Sequence, residues 1–282
     1  MNKSAKVIGC TILYIILIIL SVFALFPVIY ILLSSFKSSQ EILVGGINLL
    51  PKKWLFSNYR QAWYMANFGR LTFNSVFYAF VVVVGCVVNS VTAGYVFARG
   101  TTRVTKVVYT LVLCSLFISI GTLSLYPQLS LLKKVGLTGN LWGPIIIHVF
   151  GMNATQVFIA TGFIHQISKE IDEAARIDGC GFFKIFWKII FPLCKPLIAT
   201  SGLMAFRTAW SDYLLPYVFT ISAKEKWPLV VGVVSLKSNG EAVSSWNLML
   251  AGISISILPM LVVYLILNRY FIAGLTEGAV KG

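Results

Sequence analysis

An all-α membrane protein with six transmembrane helices is the fold class that three observations predict. Hydrophobic residues make up 58% of the 282-residue chain and charged residues only 11%, far below the roughly 25% charge of a soluble domain. Runs of about 20 or more residues without a full charge recur along it, which is the length a bilayer-spanning helix needs. The most charge-dense island, residues 168–196, holds Glu170, Asp172, Glu173 and Asp178, four of the nine acidic residues.

The uncharged runs set the spans. Val7 to Phe36, Leu71 to Ala98, Val107 to Leu132 and Ala242 to Asn268 carry no charge, and Val135 to Ser168 contains only His148 and His165. Pro196 to Thr220 is interrupted by Arg207 and Asp212. The predicted spans are therefore 7–33, 72–98, 107–127, 141–163, 197–220 and 248–270, in a single membrane domain over 1–282. The first is too long for a signal-peptide core and has no small-x-small cleavage site, so it is read as a retained helix. Trp142 and Trp246 fall near predicted outer helix ends, and Tyr270 and Phe271 near an inner one, as interfacial aromatics do.

Charge distribution excludes some functions and leaves orientation open. The net charge of +14 is spread along membrane edges, where anionic head groups attract it, and no basic patch interleaves with aromatics as nucleic-acid binding would require. With both termini inside, twelve basic residues lie inside and ten outside, a weak vote under the positive-inside rule. Cys10, Cys86, Cys114, Cys180 and Cys194 form no Cys-x-x-Cys pair and are read as small apolar residues rather than metal ligands or disulfides. No Gly-x-x-x-x-Gly-Lys-[Ser/Thr] loop is present, so any ATP that drives transport is bound by another subunit in that manner.

The polar island reads as helix, bend, helix. Ser168 is placed to cap a helix beginning at Lys169, with Glu170, Asp172 and Glu173 in its first turns, where the dipole favours negative charge. Ala174 and Ala175 leave a low-relief face for a close partner. Gly179 and Gly181 bracket the bend. A second, aromatic-rich helix from Phe182 to Phe191 is stopped by Pro192. Left there, an interfacial amphipathic helix between two spans accounts for the pattern.

The order Glu173-Ala174-Ala175, Asp178-Gly179 and Ile190-Phe191-Pro192 resembles the signature loop of permease subunits from binding-protein-dependent ABC importers. Phe191 stands where Leu is usual and Cys180 where Ala is common. Phe36-Lys37-Ser38, Ser57-Asn58-Tyr59, Phe68-Gly69-Arg70, Asn74-Ser75, Ala93 to Arg99, Trp210-Ser211-Asp212-Tyr213 and the tail from Arg269 to Gly282 are similar to the maltose-type carbohydrate permeases, so the resemblance covers nearly the whole chain.

The resemblance implies a type I ABC importer permease fold, with residues 164–192 as a cytoplasmic coupling loop. Glu173, Ala174, Ala175, Asp178, Gly179, Gly181 and Pro192 would engage a cytoplasmic ATPase. ATP and Mg would bind that partner, and this chain would hold no cofactor and catalyse no covalent chemistry. The implied partners are a second permease subunit in a heterodimer, two copies of the ATPase, an extracytoplasmic sugar-binding protein and the lipid bilayer, with no nucleic acid. Both termini would be cytoplasmic in a bacterial or archaeal cytoplasmic membrane. The cargo would be a sugar, an oligosaccharide above all; a related solute such as glycerol phosphate is the alternative. A secondary transporter would need intramembrane carboxylates, and only Asp212 offers one.

Arg207 lies near the middle of the fifth predicted span, where an ionisable group is costly; it is read as a pathway residue, with packing against a partner permease or reach to the interface by its long stem as the alternatives. Asp212, Trp210 and Tyr213 join it as substrate-pathway candidates. Arg207 and Asp212 are five residues apart and do not share a helix face, so a pair between them is not expected. Trp210, one turn from Arg207, is placed on the same side, where an aromatic ring would stack on a sugar.

Overall fold

The computed structural model describes residues 3–44, 48–118, 120–238 and 245–279, with side chains of 9–44, 48–118, 120–237 and 245–266. Regular structure among them is entirely helical. Long helices are α1 (Lys3–Ser34), α4 (Phe68–Arg99) and α14 (Trp246–Ala279). Between them lie α2 (Ser39–Val44), α3 (Ser57–Met65), α5 (Arg103–Cys114), α6 (Leu125–Lys134), α7 (Trp142–Phe150), α8 (Ala154–Gln166) and α9 (Lys169–Ile177). A composite arm α10 (Phe182–Leu193) follows, then α11 (Lys195–Trp210), α12 (Leu214–Thr220) and α13 (Leu229–Ser235).

Three single helices are long and apolar enough to cross a membrane: Gly9–Ser34, Phe68–Arg99 and Trp246–Ile266. Two bent pairs add to them, α7 with α8 at 43° and α10 with α11 at 80°. The span predicted at 141–163 is thus a broken one, and that at 197–220 is divided between α11 and α12. The span predicted at 107–127 is split between α5 and α6, with turns at 115–117 and a 3-10 turn at Gly121–Ser124. Every residue from Gly9 to Phe26 is exposed, which suits a helix whose solvent is lipid rather than water. Cys10 and Cys114 are also exposed, so the burial expected of the cysteines holds fully only for Cys86 and Cys194. The side chains of Lys3, Lys6, Arg269 to Phe271 and the rest of the tail lie outside the described residues.

The chain divides into two compact units, residues 1–69 with 232–258, and residues 70–231 with 259–282. In the first, the loop after α1 is held by a buried amide. Asn58 Nδ2 donates to the carbonyls of Ser35 (2.8 Å) and Lys37 (2.9 Å), and its Oδ1 accepts from Asn247 (2.9 Å). Ser39 Oγ closes the set on Asn247 Oδ1 at 2.6 Å. Phe36 packs against the rings of Trp54, Phe56 and Tyr59. Lys37 is buried, its ammonium bonded to the Asn48 carbonyl, so it contributes no head-group charge to the topology vote.

In the second unit α4 is the buried spine. Tyr78, Val82, Val91 and Tyr95 are essentially inaccessible along one side of it. At Gly94 the backbone comes so near α8 that a Cβ would stand 2.6 Å from the Ala160 Cβ, the small-residue contact by which membrane helices approach closely. Asn74 Nδ2 donates to the carbonyls of Glu225 and Trp227, both at 2.9 Å, and the Leu229 N–H donates to Ser75 Oγ at 2.7 Å, so the Asn74-Ser75 pair ties the 225–229 loop to α4.

The break between α7 and α8 comes from Gly151, Met152 at φ 43° and Asn153, which caps α8 by accepting from the Gln156 N–H. Breaking a helix at membrane depth frees carbonyls that no water can satisfy. Here α4 supplies partners: Asn89 Nδ2 donates to the Val149 carbonyl at 2.6 Å and the Cys86 thiol to that of His148 at 3.4 Å.

Candidate coupling loop and transport cavity

The loop 168–194 is built from local signals. Ser168 Oγ accepts from the Glu170 N–H at 3.2 Å and opens α9. The helix ends in a Schellman turn: Gly179 N–H bonds to the Arg176 carbonyl at 3.0 Å and Cys180 N–H to that of Ala175 at 2.9 Å. Gly179 sits at φ +75°, the left-handed position that closes this motif, and nothing crowds its missing Cβ. The backbone angle alone therefore selects glycine. Gly179→Asn should keep uptake near wild type, because Asn tolerates that region, while Gly179→Val should destabilise the loop by about 1–2 kcal/mol. Uptake assays paired with limited proteolysis of the loop check this, and equal behaviour of the two variants would refute it.

The second arm extends further than the sequence indicates. Rather than ending before Pro192, α10 runs to Leu193 through a π-helical turn at Phe186–Ile190. A proline lacks the N–H owed to the carbonyl one turn back and its ring crowds that carbonyl; a widened turn relieves both. The chain then corners by 80° at Cys194 into α11. Phe182 and Phe186 lie against Tyr95 with ring centroids 5.2 and 5.3 Å away. Ile185, Phe186, Ile190, Cys194 and Leu197 form one buried core with Val91 and Tyr95 of α4 and Ile164 of α8.

What fixes α9 to this core is a buried carboxylate. Asp172, 3% exposed, accepts from Tyr95 Oη at 2.6 Å and from Arg99 Nε at 3.0 Å. The same guanidinium donates to the carbonyls of Ile164 (3.3 Å) and Ile167 (2.8 Å) at the end of α8. One arginine thus ties the C-terminal end of α4, the end of α8 and α9 together. Ala175, one turn on from Asp172, is buried beside it, whereas Glu173, Ala174 and Asp178 are exposed. The docking face expected over Glu173 to Ala175 is accordingly divided, with Ala175 turned into the protein's own core. Gly181 and Pro192 are exposed.

The pathway candidates separate. Arg207 is exposed and lines an open cavity of about 710 Å³ together with Asn153, Thr155, Phe163, Thr208 and Tyr264. Trp210 turns inward, 6% exposed and stacked on Phe206 at 5.3 Å, so it does not share the cavity with Arg207. Tyr213 stacks on Tyr217 at 5.4 Å. Asp212, in the break between α11 and α12, meets a different set. Its Oδ2 accepts from Tyr78 Oη at 2.8 Å and stands 2.8 Å from His148 Nε2, while Oδ1 accepts weakly from the Leu215 N–H at 3.4 Å. No pair between Arg207 and Asp212 forms, as their spacing indicates.

Residues 82–277 match the family described as the binding-protein-dependent transport system inner membrane component. The chain belongs to this family. It is a permease component rather than an enzyme, and it crosses the inner membrane several times. Similar proteins include the diacetylchitobiose uptake system permease NgcG of Streptomyces coelicolor, 29% identical over 94% of this chain and 87% of the relative. The melibiose/raffinose/stachyose import permease MelC of Bacillus subtilis is 32% identical over 91% of each. Among solved structures, a bacterial ABC transporter involved in import of the acidic polysaccharide alginate superposes with a TM-score of 0.79 at 27% identity. That match covers 96% of this permease and 99% of the other chain.

Four residues of the permease's two polar clusters escaped the sequence reading as site residues: Tyr95 and Arg99 beside Asp172, and Tyr78 and His148 beside Asp212. In the sequence Asp172 shows only the helix-dipole preference of an acidic residue in a first turn. Arg99 carries a signal, since it closes the Ala93–Arg99 element at the C-terminal end of α4, where a fixed cation has a loop to hold.

Proposed function

We propose that this permease carries a saccharide, chiefly an oligosaccharide, across the membrane in a complex driven by ATP hydrolysis on separate subunits. The solutes named for the chitobiose and melibiose/raffinose/stachyose permeases support the sugar reading. The functional unit is a second permease paired with this one, two cytoplasmic ATPases holding ATP and Mg, and an external binding protein. In that arrangement the 164–192 loop and both termini are cytoplasmic, and the chain works as one membrane domain.

The observation that carries the coupling role is the two-sidedness of α9. Its inner side, Asp172 and Ala175, is locked to α4 and α8, while Glu173 and Ala174 stay exposed. A short helix rigidly joined to the longest buried helix transmits displacement as a unit, which rigid-body switching requires. Closure of the ATPases would pull Glu173 and Ala174 and move α4 with them, with Gly179 and Gly181 setting the corner between the two arms.

The test is reconstitution of the permease with its partner permease, ATPase and binding protein in proteoliposomes. Oligosaccharide-loaded binding protein is expected to stimulate ATP hydrolysis and drive uptake, and Glu173→Cys is expected to cross-link to a cysteine in the ATPase surface. Concentrative uptake driven by an ion gradient without ATP would overturn the proposal.

A further inference from the structure

The cavity that holds Arg207 has a chemical bias that a neutral sugar does not call for. Arg207 lies twelve residues beyond Lys195, at the corner between α10 and α11, or about 18 Å along the helix. That depth is beyond the reach of head groups for a side chain of its length. Its guanidinium makes no ion pair among the described residues, and no Asp or Glu lines the cavity. Of the neutral polar groups around it, Thr200 and Thr208 spend their hydroxyl protons on the Pro196 and Met204 carbonyls, and three others can donate. Asn153 uses its carbonyl oxygen on the Gln156 N–H, and its NH2 has no partner among the described residues; Thr155 and Tyr264 bring hydroxyls. Asn153 also caps α8, so the positive end of that half-helix borders the same space. An uncompensated cation within a membrane span is costly, and a cation flanked by donors with no carboxylate in the wall is completed by an oxyanion.

Building on the saccharide reading above, we infer that this cavity binds the acidic group of an anionic saccharide, with Arg207 as the residue that selects it. The guanidinium pairs in bidentate fashion with a carboxylate or sulfonate. Phe163 and Tyr264 offer ring surface to the CH faces of the sugar.

The experiment uses the reconstituted complex and equilibrium binding of paired probes: uronate disaccharides, a sulfonated sugar, and their neutral counterparts. Wild type is expected to bind at least one acidic probe about tenfold more tightly than its neutral counterpart, the value of one charge-assisted hydrogen bond. Arg207→Gln should erase the difference and Arg207→Lys should keep part of it, with assembly of each variant confirmed by size-exclusion chromatography. The uronate and sulfonate arms identify which oxyanion is preferred. Equal affinity for acidic and neutral probes, failure to bind any acidic probe, or an acid preference that survives Arg207→Gln would each overturn the inference. Saccharide-stimulated ATPase activity with neutral sugars alone would do so while leaving the importer reading intact; no stimulation by any saccharide would remove that reading instead.

Discussion

Asp172→Ala is expected to reduce uptake by more than tenfold, with a larger effect than either Glu173→Ala or Asp178→Ala. Asp172 is buried and accepts from both Tyr95 and Arg99. Removing it leaves a nearly buried guanidinium without its counter-charge and a phenol without an acceptor. Breaking one side of such a pair costs roughly 3–5 kcal/mol. The loss falls on the contact that holds α9 to α4, which the proposed coupling requires. Asp172→Asn should be intermediate, because the amide oxygen still accepts from Tyr95. A double-mutant cycle with Arg99→Leu separates pairing from general damage. The double variant Asp172→Leu with Arg99→Leu should be less impaired than the sum of the singles, with a coupling energy of about 1 kcal/mol or more. Strictly additive losses in uptake and thermal stability would show that the pair does no joint work.

The contrast between Asp172 and its neighbours explains what the sequence does and does not reveal. Ser168 as a cap and Gly179 as a corner were legible because their partners lie two to four residues away. Three acidic residues within four positions looked equivalent, since each suits the first turns of a helix. Helical rotation distinguishes them, and only tertiary structure sets its direction. The partners of Asp172 are 73 and 77 residues distant. Trp210 shows the same limit. Its three-residue spacing from Arg207 leaves the two side chains about 60° apart around the helix, and the edge of the buried face falls between them. The 141–163 span read as one helix because Gly151, Met152 and Asn153 keep the run uncharged. Hydropathy records the absence of charge and is blind to a cap.

Asp212→Leu should cost a comparable loss, while Asp212→Asn should retain most of the uptake. Asp212 is the carboxylate that an ion-coupled transporter would use, but the chain belongs to a binding-protein-dependent importer family, and the contacts of this carboxylate describe a structural tie. Tyr78 is fully buried and donates to it, and His148 Nε2 is placed to do the same. The rings of Tyr78 and His148 meet edge to face at 6.1 Å. The carboxylate therefore joins α4, α7 and the break between α11 and α12, where hydropathy alone would have continued one span. Leucine strands the buried Tyr78 hydroxyl at about 1–3 kcal/mol and leaves the half-buried His148 without its acceptor, and the break loses the bond that turns it. Asparagine keeps an acceptor in the same place, and a tie needs only that. An ion-coupling carboxylate must gain and lose charge in each cycle, so Asn would abolish concentrative uptake altogether. Uptake and thermal unfolding of the assembled complex with Asp212→Asn and Asp212→Leu separate the two roles. Near-normal uptake in the first and severe loss in the second identifies a structural tie; equal loss in both, with unchanged unfolding temperature, identifies a coupling group.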